Sequence, residues 1–357
     1  MTGRPVTARL LTAKGLAIGW GTKVERMLSS GIDLELDTGL FAVLVGPNGS
    51  GKSTLLRTLV GLQAPLRGEA ILCGKDVRRL SVEQRSRRAA CVFTDRYDSG
   101  YFTVFDIVAF GRYPYTGARN RLGPGDLAAV ENAITAVGLG ELAVRLFAEL
   151  SDGERQKALI ARAIAQDCPV LVLDEPTAFL DAPARVEVFH IARSLARSSG
   201  KAVVLSTHDI DHALRYADLL WLMDKDHRFQ TGAPEDLAMS GAIGRAFDGE
   251  GFRFDTGSGA FRSVEAGMPY SIELVGPEGA SRAWAGRLAE RLGLVVNGSS
   301  RGLETIARLS IEECEGGPMF TLRAGPPGNP DVVAASYGEL AKRMTDLIAE
   351  RVEVGGS

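Results

Sequence analysis

One nine-residue run, Gly46-Pro47-Asn48-Gly49-Ser50-Gly51-Lys52-Ser53-Thr54, narrows the possible folds more than any other part of the chain. It fits the spacing G-x-x-x-x-G-K-[ST], and its neighbours suit it. The apolar run 40–45 before it reads as a buried strand, and the run 55–60 after it reads as a helix. Between a strand and a helix, glycines let successive backbone N–H groups turn inward. The helix start adds partial positive charge at the same place. Such a turn cradles phosphate. Lys52 would reach the terminal phosphates of a nucleoside triphosphate, and the Ser53 hydroxyl would bind Mg2+. The bland alternative is a Gly-rich strand-to-helix turn without a ligand. Taken alone, the run does not choose among kinase, GTPase, motor and transporter.

The chain has 357 residues, room for two domains. Apolar residues make up 45% and charged residues 24%, as in a soluble globular protein. The net charge of −3 provides no global basic field, so nucleic acid is not expected as a partner. Cys73, Cys91, Cys168 and Cys314 form no C-x-x-C pair. Buried reduced thiols in a cytosolic protein are expected, rather than disulfides or a zinc site. Met1-Thr2-Gly3-Arg4-Pro5 lacks an apolar signal core, and the longest apolar runs are strand-length. Any membrane role is therefore expected to come through a partner.

Residues 7–45 read as short strands with turns, and Ile32-Asp33-Leu34-Glu35-Leu36 alternates as an antiparallel strand with one wet face should. Residues 69–73 continue that strand-rich region. Residues 82–90 read as a basic helix, and 91–149 as mostly helical, over 104–112, 124–137 and 141–147. Helices 152–166, 184–198 and 210–216 then alternate with strands 170–173 and 202–206, which implies a parallel sheet flanked by helices. Strands at 219–223 and around Phe229 close the first domain, 1–248. The Gly-rich stretch 249–269 reads as a linker. Residues 270–357 read as a small α/β or α+β domain, with strands 271–275, 294–296 and 319–323 and helices 280–292, 302–311 and 337–352. Within it, Trp284, Leu288 and Leu292 have helical spacing and read as a core stripe.

Four further stretches carry chemistry. In Val170-Leu171-Val172-Leu173-Asp174-Glu175-Pro176, two carboxylates leave the carboxyl end of a buried strand, where parallel sheets bind ligands. Asp174 is placed to hold Mg2+, and Glu175 to orient and deprotonate a water. By itself such a pair reads equally as a surface turn. Leu150-Ser151-Asp152-Gly153-Glu154-Arg155-Gln156 precedes a long helix, and by itself Ser151 with Glu154 is a capping box. His208 follows the strand 202–206, where it could bond a γ-phosphate or be merely structural. Trp20 lies in an early turn, where it packs or stacks a base.

Taken in this order and at these spacings, the residues resemble the nucleotide-binding subunit of an ABC transporter, over about residues 10–240. The resemblance implies an α/β fold: a P-loop NTPase domain of ABC type, with a parallel sheet core, an antiparallel β subdomain and a helical subdomain at about 95–149. It makes residues 46–54 the phosphate loop, Leu150 to Glu154 the signature, and His208 the switch histidine. Asp181, in Ala178-Phe179-Leu180-Asp181, falls in the dimer-interface loop, and Trp20 falls where the family stacks adenine. Two departures stand out. Thr94-Asp95 replaces the usual Gln, so that Thr94 would meet a metal-bound water with a shorter reach. Asp152 replaces the commoner Gly of the signature, a change acceptable at a helix start.

The resemblance implies ATP hydrolysis, with Mg2+, by a head-to-tail homodimer or by a pair of ATPase subunits. Each ATP would meet residues 46–54 of one subunit and Ser151, Asp152, Gly153 and Glu154 of the other. Partners would be an integral membrane permease and, indirectly, a substrate-binding protein, which places the subunit at the cytoplasmic face of the cell membrane. Tyr101, Arg112 and Tyr113 are candidate permease contacts. Phe110-Gly111-Arg112-Tyr113-Pro114-Tyr115 and the 176–181 segment resemble importers of iron(III)-siderophores, haem and cobalamin. Two rivals are a transporter subunit for another substrate, such as a metal ion, and a soluble ABC ATPase of DNA repair or ribosomes. The second usually carries a coiled-coil insertion or two ATPase halves, and this chain has one motif set and no such heptad run.

Overall fold

The computed structural model describes residues 8–21, 26–93, 100–116, 121–249, 252–263, 270–297, 303–315, 317–324 and 331–355. Two compact units divide them. The first runs to Gly249 and takes in Arg253–Arg262, and the second holds Glu250–Phe252 and Ser263–Ser357.

The first unit opens with β1 (Arg9–Trp20) and β2 (Arg26–Asp37), twelve residues each and longer than the short strands expected. They pair antiparallel with several register shifts, which let so long a ribbon bend and twist. After β3 (Phe41–Val45) and helix α1 (Lys52–Leu59), β4 (Arg67–Leu72) and β5 (Lys75–Asp76) complete a sheet of order β2-β1-β4-β5.

The second sheet positions the site. Its further strands are β6 (Ala89–Val92), β7 (Val170–Asp174), β8 (Ala202–Thr207), β9 (Leu219–Met223) and β10 (Phe229–Gly232), in the order β10-β9-β3-β8-β7-β6. All neighbours are parallel except β9 and β10. Every residue of β3, β7 and β8 is buried, which explains why these strands read as continuous apolar runs rather than alternating ones. Phe41, Val43 and Val45 of β3 face one core, and Ala42 and Leu44 face the other, with Trp221 and Leu55. The carboxyl ends coincide: Val45 pairs with Thr207, and Asp174 with Ser206.

Around this sheet lie α2 (Val82–Ser86), α3 (Val104–Ala109), α4 (Tyr113–Thr116), α5 (Pro124–Ala136), α6 (Asp152–Ala165), α7 (Ala182–Ser199), α8 (Ile210–Tyr216), α9 (Pro234–Met239) and α10 (Ala242–Phe247). The helix expected over 82–90 ends at Ser86, because the chain must enter β6 beside β7. The helix expected over 141–147 is replaced by single 3-10 turns at Gly140–Leu142 and Phe147–Glu149. Its backbone is used elsewhere: Val104 N–H donates to Arg145, and Phe147 N–H donates to Phe102.

Part of the stretch read as a linker is built structure. β11 (Phe252–Asp255) and β12 (Ala260–Ser263) pair, and Phe254 and Phe261 pack with the core of the first unit. The Asp248 carboxylate accepts the Phe254 N–H at 2.8 Å.

The second unit comprises β13 (Tyr270–Val275), α11 (Ala280–Arg291), β14 (Val295–Val296), β15 (Glu304–Cys314), β16 (Gly317–Ala324), β17 (Val332–Ala334) and α12 (Tyr337–Gly355), with strand order β14-β13-β15-β16-β17. The helix expected over 302–311 is strand β15, which lies between β13 and β16. Its Ala307, Leu309 and Ile311 are buried at period two. The stripe on α11 is Ala285, Leu288 and Ala289. Trp284 is 57% exposed, so the expectation that it belongs to the core is corrected. The four cysteines are free thiols. Cys168 is buried, and burial pushes its pKa up to about 12, whereas Cys314 is exposed rather than buried.

Candidate active site

The phosphate-loop sequence lies directly after β3. A Cβ on Gly46 would sit 2.4 Å from the Met223 carbonyl oxygen, so the loop can pass β9 only with glycine there. Gly49 (φ 79°) and Gly51 (φ 105°) take left-handed conformations that a side chain resists. Gly51 is the N-cap of α1, and no side chain caps this helix. Its start thus keeps its positive dipole end for an anion. Lys52 Nζ donates to the Gly46 and Pro47 carbonyls at 2.9 and 3.1 Å. The side chain is buried. Burial lowers its pKa, and the Glu175 and Asp174 carboxylates partly oppose that shift. Ser50 Oγ is buried inside the loop with no hydrogen-bond partner among the described residues.

Strand pairing brings the carboxylates to the same edge. Asp174 is 3% exposed, and its Oδ1 accepts from Ser206 Oγ at 2.6 Å. The same hydroxyl accepts the Glu175 N–H at 2.9 Å, so one serine on β8 fixes both acidic residues. Glu175 adopts a left-handed φ of 48°. Its Oε1 lies 2.6 Å from His208 Nε2 and 3.7 Å from Lys52 Nζ. Lys52, Asp174, Glu175 and His208, widely spaced in sequence, therefore converge. An open depression of about 440 Å3 lies beside them, lined by Glu175, Thr177, Phe179, Arg185 and His208 among others.

Asp174 within this cluster and Ser53, directly after Lys52 in the first turn of α1, offer hard oxygen donors, and such donors suit Mg2+. Thr94 lies outside the described residues. Sequence reasoning missed Ser206, although a hydroxyl one place before the end of β8 was a usable signal. It also missed His227, whose Nδ1 is 3.2 Å from the Ser50 carbonyl oxygen across the β9–β10 turn. Nothing local marks that residue.

Ser151, Asp152, Gly153 and Glu154 sit at the start of α6. The capping box is present: Ser151 N–H donates to Glu154 Oε2 at 2.8 Å, and Glu154 N–H donates to Ser151 Oγ at 3.3 Å. Asp152 is exposed and pairs with Arg155, and Gly153 faces the start of α7 at Ala184. No hydrogen bond or ion pair joins residues 151–154 to residues 46–54 among the described residues. Asp181 caps α7, accepting the Ala184 N–H at 3.0 Å. Trp20 ends β1 half-exposed. Ser151→Ala is expected to lower stability by about 1 kcal/mol, read as a shift in the urea midpoint. The hydrogen bonds from Ser151 hold the Glu154 carboxyl below the usual glutamate range. The contribution of Glu154 is thus complete above that range and is lost as pH falls below it, and Glu154→Gln should flatten the loss.

The sequence pattern of the family described as ABC transporter matches residues 29–178. The achromobactin transport ATP-binding protein CbrD of Dickeya dadantii is 35% identical over 238 residues, covering 67% of this chain and 87% of that protein. The chain belongs to the ATP-binding subunits of ABC transporters. The cobalamin import ATP-binding protein BtuD of Halobacterium salinarum is 44% identical to this ABC ATPase over 206 residues, 57% of this chain and 51% of that protein. Among solved structures, cbiO1 of Clostridium perfringens, part of the ABC transporter complex cbiONQ, matches 67% of this chain and 94% of its own. It does so at a TM-score of 0.58 and 26% identity. The ABC ATPase binds nucleotide and hydrolyses ATP. No helix among the described residues is long and apolar enough to cross a membrane.

Proposed function

We propose that this ABC ATPase powers import of an iron(III)-siderophore, haem or cobalamin-type substrate, as a head-to-tail dimer at the cytoplasmic face of the membrane beneath a partner permease. The observation that carries the dimer is the split between two helix starts. The start of α1 serves residues 46–54, whereas the start of α6 has no bond to them. A second copy, or a paired ATPase subunit, brings its α6 start to the far side of the same phosphates.

In this reading Trp20 stacks the adenine. The N–H groups of Asn48, Gly49, Ser50, Gly51, Lys52, Ser53 and Thr54 surround the phosphates, and Lys52 neutralises them. Ser53 and Asp174 would hold Mg2+, with Thr94 near its water shell, and the ion would supply charge neutralisation at the phosphates. Glu175 orients and deprotonates the attacking water. His208, bonded to Glu175, reaches toward the γ-phosphate. Ser151, Asp152, Gly153 and Glu154 of the second copy close the pocket, and Asp181 holds the loop at the interface.

Iron-complex or cobalamin import draws support from the achromobactin and cobalamin relatives. Transport of another substrate, such as a metal ion, is the second reading. The test is purification of the tagged full-length chain from membranes, followed by uptake into vesicles. ATP-dependent uptake of a ferric siderophore or cobalamin with a co-purified permease is the expected result. Recovery without any integral membrane protein, or with bound nucleic acid, would sink the proposal.

A further inference from the structure

Two charged side chains beside the carboxylate cluster have no part in the reading above. Arg185 lies in the first turn of α7, and Asp209 is the N-cap of α8, directly after His208. Arg185 Nη1 stands 3.8 Å from Asp209 Oδ2, and Arg185 Nε donates to the Leu180 carbonyl at 2.9 Å. Asp209 is held on its other sides as well. Its Oδ1 accepts the His212 N–H at 3.2 Å, and its Oδ2 is 2.8 Å from His212 Nδ1. The Asp209 N–H donates to Thr207 Oγ1 at 3.0 Å, and that oxygen is 3.4 Å from Thr177 Oγ1. Besides the Glu175–His208 contact, segments 175–185 and 207–209 are thus tied at two levels. One is a buried hydroxyl pair, and the other is an ion pair at the rim of the depression.

We infer that Asp209 and Arg185 are positioning residues that together set where His208 stands against Glu175 and make that setting depend on the 176–181 loop. The inference rests on the proposed roles of Glu175 and His208. Glu175 is the one bonded partner of the His208 side chain among the described residues. The orientation of His208 therefore depends on its backbone, held on one side by buried β8 and on the other by the Asp209 cap. The 176–181 loop is open to pressure: Phe179 at its tip is 87% exposed and adopts φ 67°. A surface pressing on Phe179 moves Leu180, whose carbonyl anchors Arg185, and through Arg185 it moves Asp209. The Arg185 side chain is 44% exposed, so the pair adds little to folding stability. Its effect is geometric, and a misplacement of about 1 Å at a reacting group costs on the order of 100-fold in rate.

The experiment compares full-length Asp209→Asn, Arg185→Gln, the double variant and Arg185→Lys in steady-state ATP hydrolysis. Asn keeps the cap, so the thermal midpoint should hold. Each single variant should lose about tenfold in kcat with the ATP KM within about twofold. The double variant should be no slower than the slower single one, and Arg185→Lys should recover most of the rate. Full kcat in the two single variants, losses that multiply in the double, or a rise in KM with kcat intact would overturn the inference. Glu175→Gln run alongside separates the failures. If Glu175→Gln itself turns over normally, the reading of the hydrolysis centre is at fault. If Glu175→Gln is inert and Asp209→Asn is normal, only the positioning link falls.

Discussion

Glu175→Gln is expected to bind ATP almost as tightly as the unmodified protein and to hydrolyse it at least 100-fold more slowly. In the proposed reading the carboxylate acts as a base and not as a phosphate ligand. Its Oε1 is 2.6 Å from His208 Nε2 and 3.7 Å from Lys52 Nζ, while Lys52 itself donates into the phosphate loop. Gln has the same length and the same backbone tolerance at a φ of 48°, so the loop should keep its shape. What disappears is the basic lone pair, and general-base catalysis is worth roughly 100- to 10,000-fold. Nucleotide that binds and is not cleaved should hold the paired state, so light scattering in Mg-ATP should show twice the monomer mass. Turnover within a few-fold of the unmodified protein would remove Glu175 from its role.

The second large effect is expected at binding. Lys52→Ala should weaken ATP by roughly 10- to 100-fold, as measured by equilibrium titration. A hydrogen bond to a charged group contributes about 1.5–3 kcal/mol, and each 1.4 kcal/mol is tenfold in affinity. Lys52 is 5% exposed, so its ammonium is already partly stripped of water, and a phosphate meets it without much further desolvation. The substitution also leaves the Gly46 and Pro47 carbonyls without their donor. Lys52→Arg controls for this: it keeps the charge and changes the reach. If Lys52→Ala binds ATP unchanged, the phosphate contact is wrong. If Lys52→Arg restores binding fully, charge alone suffices at this position.

The parts of the site that were legible share a physical cause. Residues 46–54 can turn only where glycines release the backbone, and a parallel strand buried on both faces must be continuously apolar. Both constraints act within a few residues of chain, so composition and order reveal them. Strand β15 lacked such a marker. Its Ala307, Leu309 and Ile311 alternate, but Ile306 beside them is also buried, and that run fits a helix as well as a strand until β13 and β16 flank it. The Gly-rich stretch around β11 and β12 concealed Phe261, which packs with Phe247, and Phe254, which packs with Phe261. Trp284 shares helical spacing with Leu288, which is buried, and Leu292, which packs against the core, yet Ala285 takes its place in the buried stripe of α11, because the sheet beneath decides which face a helix presents.

The order of residues by itself determined the family fold and singled out residues 46–54, Asp174, Glu175 and His208 as the candidate site, through local backbone requirements and the spacing of the motifs. Tertiary structure alone decided what joins them. Ser206 bonds both Asp174 and Glu175, His208 meets Glu175, and Arg185 meets Asp209. These contacts cross from one strand or helix to another, and pairing between distant segments depends on register and packing that no short stretch of sequence carries.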